Sequence, residues 1–241
     1  MFEDLVNDPL FIISLIVIGI FTVGIIIAAT AHGIFYRTKE RLMRVENSTN
    51  AYTYEVIAWG IKKFNQRTKI YLAGEKTEDC YDYANDRIIL KEDIFYGTSV
   101  ASLAIAGHEF GHSMQRYSNS ILFAICCFLQ KLNRFFSGLF LPLVILGTII
   151  WIIPFELNVI GEIMIYVGLF ALLVTILMKV FLIPLEFGAS HNAKVFLKKH
   201  VGIKGKELRE VKRLLRAAGF TYVASLFEGP YLFVRFLFGK R

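Results

Sequence analysis

Residues 98–115 read TSVASLAIAGHEFGHSMQ, and at their centre stands an HExxH motif, His108-Glu109-Phe110-Gly111-His112. On an α-helix, positions i and i+4 lie one above the other on the same face, so His108 and His112 can grip one metal ion. Glu109 is rotated by one residue and stands beside such an ion, where it can take a proton from a metal-bound water. The flanks fit a helix. Thr98 or Ser99 is a natural N-cap, small and apolar helix formers follow, and neither a charge nor a proline intervenes before Glu109.

Around this motif the chain is strongly apolar. Hydrophobic residues make up 55% of it, and the mean hydropathy is +0.52. Pro9 to Phe35 carries no acid and no base apart from His32, and about 20 such residues cross a bilayer core. A cleaved signal peptide fits badly, because the leader is acidic (Glu3, Asp4, Asp8) and the run is long. After the motif, Phe135 to Ile153 and Val159 to Ile183 are each long enough to span. The connector at 154–158 suits an external turn, and residues 119–134 suit an interfacial lead-in or the start of a longer tilted helix. Residues 219–238 read equally as a further span or as a helix lying against the membrane, since Glu228, Pro230 and Arg235 interrupt them.

Charge sets the expected orientation. Arg37, Lys39, Arg41 and Arg44 follow the first apolar run, and Lys194, Lys198, Lys199, Lys204 and Lys206 follow the last long one. The positive-inside rule puts both groups, and the motif with them, in the cytoplasm. The net charge of +7 is then mostly a topology signal, and no basic patch interleaved with aromatics suggests nucleic acid. Cys80, Cys126 and Cys127 make no disulfide framework.

Between the first run and the motif, Ser48 to Phe64 has helical spacing, while Lys69 to Ala73 and Arg87 to Leu90 read as short strands. Residues 78–82 read as a turn-like stretch between those strands. The expected fold is therefore α+β and mainly helical: a multi-pass membrane protein with a small cytoplasmic zincin-like catalytic domain. Its expected parts are an anchor (1–35), the motif domain (36–118), a transmembrane hairpin (119–185), returning cytoplasmic helices (186–218) and a C-terminal apolar helix (219–241).

A zinc site needs a third protein ligand, and a catalytic one keeps its fourth position open. His32, His191 and His200 are candidates. Glu186 is the better one, because it directly follows an apolar run that returns the chain to the side of His108.

Three further strings carry a resemblance. Residues 82–115 run from DYANDRIIL through the motif to Gln115, residues 182–190 read LIPLEFGAS, and residues 217–224 read AAGFTYVA. Together and in this order they resemble the bacterial YugP-like neutral zinc metallopeptidases of the "zinc peptidase 2" type. The resemblance implies one Zn²⁺ held by His108, His112 and Glu186 in the gluzincin manner. It departs from the family pattern at Cys80 (a histidine there), Tyr83 (a proline) and Gly188 (an aspartate). The missing aspartate leaves a gap beside the zinc ligands, which His191 either fills, as a support or an oxyanion stabiliser, or leaves to others as a surface residue.

The expected activity is zinc-dependent hydrolysis of peptide bonds at the cytoplasmic membrane face, with Glu109 as general base. The substrates would be peptides or membrane proteins, and Arg87 to Leu90 would be the edge strand that docks them. Two other readings are a site-2-type intramembrane protease and an inactive zinc-binding scaffold. The first sets its motif inside a span and takes a later aspartate as ligand, and this chain has none after Asp93.

Overall fold

The computed structural model describes residues 9–75, 77–118, 120–152 and 158–227, with residues 9–18, 20, 21, 120–122, 126 and 152 described by backbone alone. The first apolar run forms α1, Pro9–Met43, which continues past the expected end of the anchor at residue 35. Residues 36–43 contain no glycine or proline, and Glu40 pairs with Arg44 one turn on at 3.2 Å, so nothing stops the helix. Helix α2, Thr53–Lys63, starts later than residue 48. The Asn47 side chain accepts the Thr49 N–H at 2.9 Å and turns the chain there, and the Glu55 carboxylate accepts the Tyr52 N–H at 3.1 Å.

Strands β1 (Lys69–Leu72), β2 (Cys80–Asp82) and β3 (Arg87–Leu90) form one small sheet in the order β1-β3-β2. This corrects two expectations. Arg87 to Leu90 is the central strand, parallel to β1 and antiparallel to β2, and the edge on the motif side is β2, which had read as a turn. The link between β2 and β3 is tight. Asp82 accepts the N–H groups of Ala84 and Asn85, and Asp86 sits at φ 50°. That left-handed conformation is one that aspartate tolerates.

After the short helix α3 (Glu92–Phe95), the motif helix α4 runs Val100–Ser118. Ser99 caps it: its Oγ accepts the Ser102 N–H at 3.0 Å, and the Ser102 Oγ accepts the Ser99 N–H at the same distance. Helices α5 (Ser120–Ile152) and α6 (Asn158–Phe196) form the long hairpin, with residues 120–134 part of α5 itself. The expected external turn lies almost wholly outside the described residues. A π-helical turn (Leu197–Val201) leads to α7, Gly205–Ala224, which ends in a 3₁₀ turn, Ser225–Phe227. Residues 1–8 and 228–241 fall outside the description, and with them most of the C-terminal apolar block.

Helix α4 is buried on almost every side. Leu103 and Phe110 meet Ile57 of α2, Ile88 and Leu90 of β3, Phe196 and Leu197 of the α6 end, and Leu214 of α7 in one apolar core. Its closest neighbour is α6. A Cβ on Gly111 would lie 2.2 Å from the Ala189 carbonyl oxygen, so the two backbones touch at that pair. Glu186, three residues before Ala189, is thereby held over the turn that carries His108 and His112.

Among the described residues, two stretches are long and apolar enough to cross a membrane, Phe123–Trp151 and Asn158–Val201. Phe128, Phe135, Leu146, Phe170 and Phe181 stand exposed along them. Apolar exposure on that scale suits contact with lipid.

Candidate metal centre

Helical spacing brings the two motif imidazoles together edge to face, with ring centroids 4.8 Å apart, and α6 brings the carboxylate. The Glu186 Oε2 lies 3.3 Å from His108 Nε2 and 3.5 Å from His112 Nε2. The three donor atoms all fall within 4.8 Å of one another. Two imidazoles and a carboxylate converging in this way suit a zinc ion with an open fourth position. The side chains keep 17%, 12% and 16% of their surface exposed, so that position faces a cleft rather than sealed core. Electrostatics agree with a cation site. Burial alone would depress the His112 pKa, yet the Glu186 carboxylate more than reverses this and raises it, so the pocket favours positive charge.

Both imidazoles are held from behind. His108 Nδ1 lies 3.1 Å from Ser190 Oγ, and His112 Nδ1 lies 3.1 Å from Gln115 Oε1. The second contact fixes a tautomer. The Gln115 amide nitrogen donates to the Leu185 carbonyl at 2.7 Å, so the amide oxygen must be what faces His112. An oxygen can only accept, so His112 carries its proton on Nδ1 and presents a bare Nε2 to the metal.

Glu109 is buried beside the pair. Burial raises its carboxyl above the usual range, and the neighbouring His108 and His112 oppose this in part. The cleft, about 690 Å³, is walled by His108, Glu109, His112 and Glu186 on one side and by Cys80, Tyr81 and Asp82 of β2 on another. Cys80, where the family pattern has a histidine, lies on that strand, and burial pushes its thiol up. Tyr222 of α7 also lines the cleft.

Not every candidate histidine comes to the site. His191 is exposed and faces Lys194, its Nδ1 3.4 Å from Nζ, and it is absent from the walls that contain His108. The reason is rotation: five residues along a helix from Glu186 turn His191 about 140° away from the metal face. His200 is half-buried and packs against Phe64 and Phe196, away from the triad. His32 shares a cavity wall with His108 and Glu186 but is not one of the three convergent ligands. The residues that sequence reasoning missed are Gln115, Ser190 and Tyr222. Only spacing could have pointed to the first two, since Gln115 follows His112 by three and Ser190 follows Glu186 by four.

Residues 15–240 match the family described as "Putative neutral zinc metallopeptidase". The chain belongs to this family. It is also similar to a curated relative from Bacillus subtilis (strain 168) called "Putative membrane protease YugP", at 28% identity over 159 residues, 66% of this chain and 67% of that one. No solved structure matches the chain. The zinc metallopeptidase family and the membrane protease relative agree with the convergent triad and the two apolar helices. The motif helix α4 is not among the stretches apolar enough to span, and the third donor is a glutamate. Neither feature suits a site-2-type protease.

Proposed function

We propose that this chain is a membrane-embedded zinc-dependent endopeptidase that cuts peptide bonds at the cytoplasmic membrane face. The observation that carries the reading is the convergence of His108, His112 and Glu186 with the buried acid Glu109 beside them. A zinc ion bound there supplies a Lewis acid that polarises a carbonyl oxygen and lowers the pKa of a coordinated water to about 7.

The other roles fall to the chain's own groups. Glu109 takes the proton of the attacking water and passes it to the leaving amine, and its place on the cleft wall beside the two motif imidazoles suits both transfers. Tyr222, in the cleft wall, stabilises the oxygen on which charge develops, a task from which His191 is turned away. An extended peptide docks along the free edge of β2, whose residues line the cleft. The cytoplasmic assignment rests on the lysines and arginines that flank the apolar runs. The partners that follow are the bilayer and a peptide or membrane-protein substrate.

Glu109→Gln keeps the side chain's shape and removes the base. Zinc content should be retained while proteolysis falls by at least about 10²-fold. Full activity in that variant would assign the base role to another group.

A further inference from the structure

The two faces of α7 differ in chemistry. Leu208, Val211, Leu214 and Leu215 are buried in the core, and Leu214 and Leu215 share a cavity wall with His108 and Glu109. On the other face, Arg209, Arg213, Arg216 and Phe220 follow at i, i+4, i+7 and i+11, within an arc of about 60°. All four are exposed, Phe220 by 55%. Beside them on α1, Arg37 and Arg41 lie one turn apart, both exposed. Arg41 and Arg213 share one carboxylate, Glu210, so that trio keeps a net positive charge.

Contacts between α1 and α7 set the depth of this face. The two helices run antiparallel: Ser48 donates its N–H to Glu207, Arg41 pairs with Glu210, and His32 shares a cavity wall with Gly219 and Thr221, the neighbours of Phe220. The apolar run of α1 ends at Phe35, and its first base is Arg37. Phe220 therefore lies level with His32, three residues or about 4–5 Å inside that apolar boundary. Arg216 and Arg213 stand about 6 and 10 Å nearer the aqueous side. Each headgroup layer of a bilayer is about 5–8 Å deep, so the arginines fall at the headgroups and the phenyl ring below them. A second contact agrees. Lys179, on the long apolar helix α6, donates to the Ser225 carbonyl, which draws the end of α7 in among the spans.

We propose that the outer face of α7 is a binding site for an anionic phospholipid, with Arg213, Arg216 and Arg37 on its headgroup and Phe220 beside its acyl chains. The proposal rests on the membrane-embedded reading above and is independent of the metal. Arginine suits the ligand, since its planar fork matches a phosphodiester and keeps its charge at any physiological pH. A net negative headgroup is favoured over phosphatidylcholine, whose ammonium the same arginines repel. Phe220 separates a lipid from a soluble polyanion: a nucleic acid or an acidic protein would use the arginines alone, whereas a ring below them meets hydrocarbon. A headgroup held there clamps the helix whose other face walls the active centre.

The test uses the full-length protein in a non-ionic detergent, titrated with phosphatidylglycerol or phosphatidylcholine of the same acyl chains and read by native mass spectrometry. An anionic surface gains about fivefold in affinity per nearby arginine. Phosphatidylglycerol should therefore bind at least about tenfold tighter than phosphatidylcholine. The double change Arg213→Gln with Arg216→Gln should erase the preference, and the corresponding pair of lysine changes should keep most of it. Phe220→Ser should weaken both lipids. Lys198→Gln with Lys199→Gln removes the same charge about 22 Å of helix beyond the apolar run that ends at Ile183, and should leave the preference intact. Equal affinity for the two lipids, or an equal loss in the Lys198 and Lys199 control, would overturn the site. Displacement of the lipid by an equimolar soluble glycerophosphate, with Phe220→Ser unchanged, would overturn it in favour of a soluble phosphate. Alkaline carbonate extraction separates the two readings. Release of the chain from membranes would overturn the membrane reading and the site with it, whereas retention without a preference for phosphatidylglycerol would overturn the site alone.

Discussion

A Cβ on Gly188 would lie 2.6 Å from the amide nitrogen of Gln115, the group that locks His112 by bonding the Leu185 carbonyl. The missing aspartate is therefore not an empty place, because the Gln115 amide occupies it. Gly188→Ala should push the amide off His112 and weaken zinc binding by about 10–100-fold, the usual cost of losing a ligand's hydrogen-bond partner. Gly188→Asp also expels the amide but puts a carboxylate in its place, so affinity should recover towards wild type. Competition against a chromophoric chelator separates the two. Wild-type affinity in the alanine variant would show that Gln115 does not orient the ligand.

His191→Ala should leave both zinc affinity and peptidase rate at wild-type values, since the side chain faces solvent and Lys194. A tenfold loss of rate, with zinc retained, would return His191 to the site.

The α4–α6 contact should be the most sensitive point of the fold. Gly111→Ala places a methyl 2.2 Å from a backbone oxygen, which no side-chain rotation relieves. Overpacking of this kind costs about 1–3 kcal/mol. Because the same contact positions Glu186, zinc binding should fall along with the melting temperature. Gly138→Ala, with nothing within 4 Å of the new methyl, is the control and should not be destabilised.

Much of this was legible in the sequence, and the misses share a cause. The motif helix carries its own start signal at Ser99, and Glu186 stands out as an acid at the end of an apolar run. Strand β2 could not be read. It has three residues among acids, and its extended form comes from pairing with β3, Cys80 to Ile89 and Tyr81 to Ile88. Gln115 and Ser190 are polar residues whose roles depend on the neighbouring helix, which no local pattern records. His191 attracted attention because it directly follows the string that carries Glu186 and Gly188, and the helical turn that sets its direction counts against it.

Acid stability should depend on Asp86. Its carboxylate accepts hydrogen bonds from Thr68, Tyr81 and Tyr117 at 2.7, 2.7 and 2.6 Å. Burial alone would raise its pKa, but these hydroxyls outweigh burial and lower it. A pKa below the unfolded value of about 3.9 contributes stability that is fully present above that value. That stability is lost as the pH falls through the folded pKa. Asp86→Asn keeps the left-handed backbone and removes the charge, so it should lower the melting temperature at neutral pH and flatten its decline below about pH 4. Parallel wild-type and variant melting curves from neutral to acid pH would contradict this.

The claim on which the rest depends is that two residues of α4 and one of α6 together hold a single zinc ion. Elemental analysis of the purified full-length chain, beside Glu186→Ala and His112→Ala, tests it directly. Wild type should carry about one zinc per chain, as expected for one site of three convergent ligands. Each variant, refolded and metal-challenged alongside it, should be nearly empty. A Glu186→Ala protein that retains its full zinc would contradict the assignment.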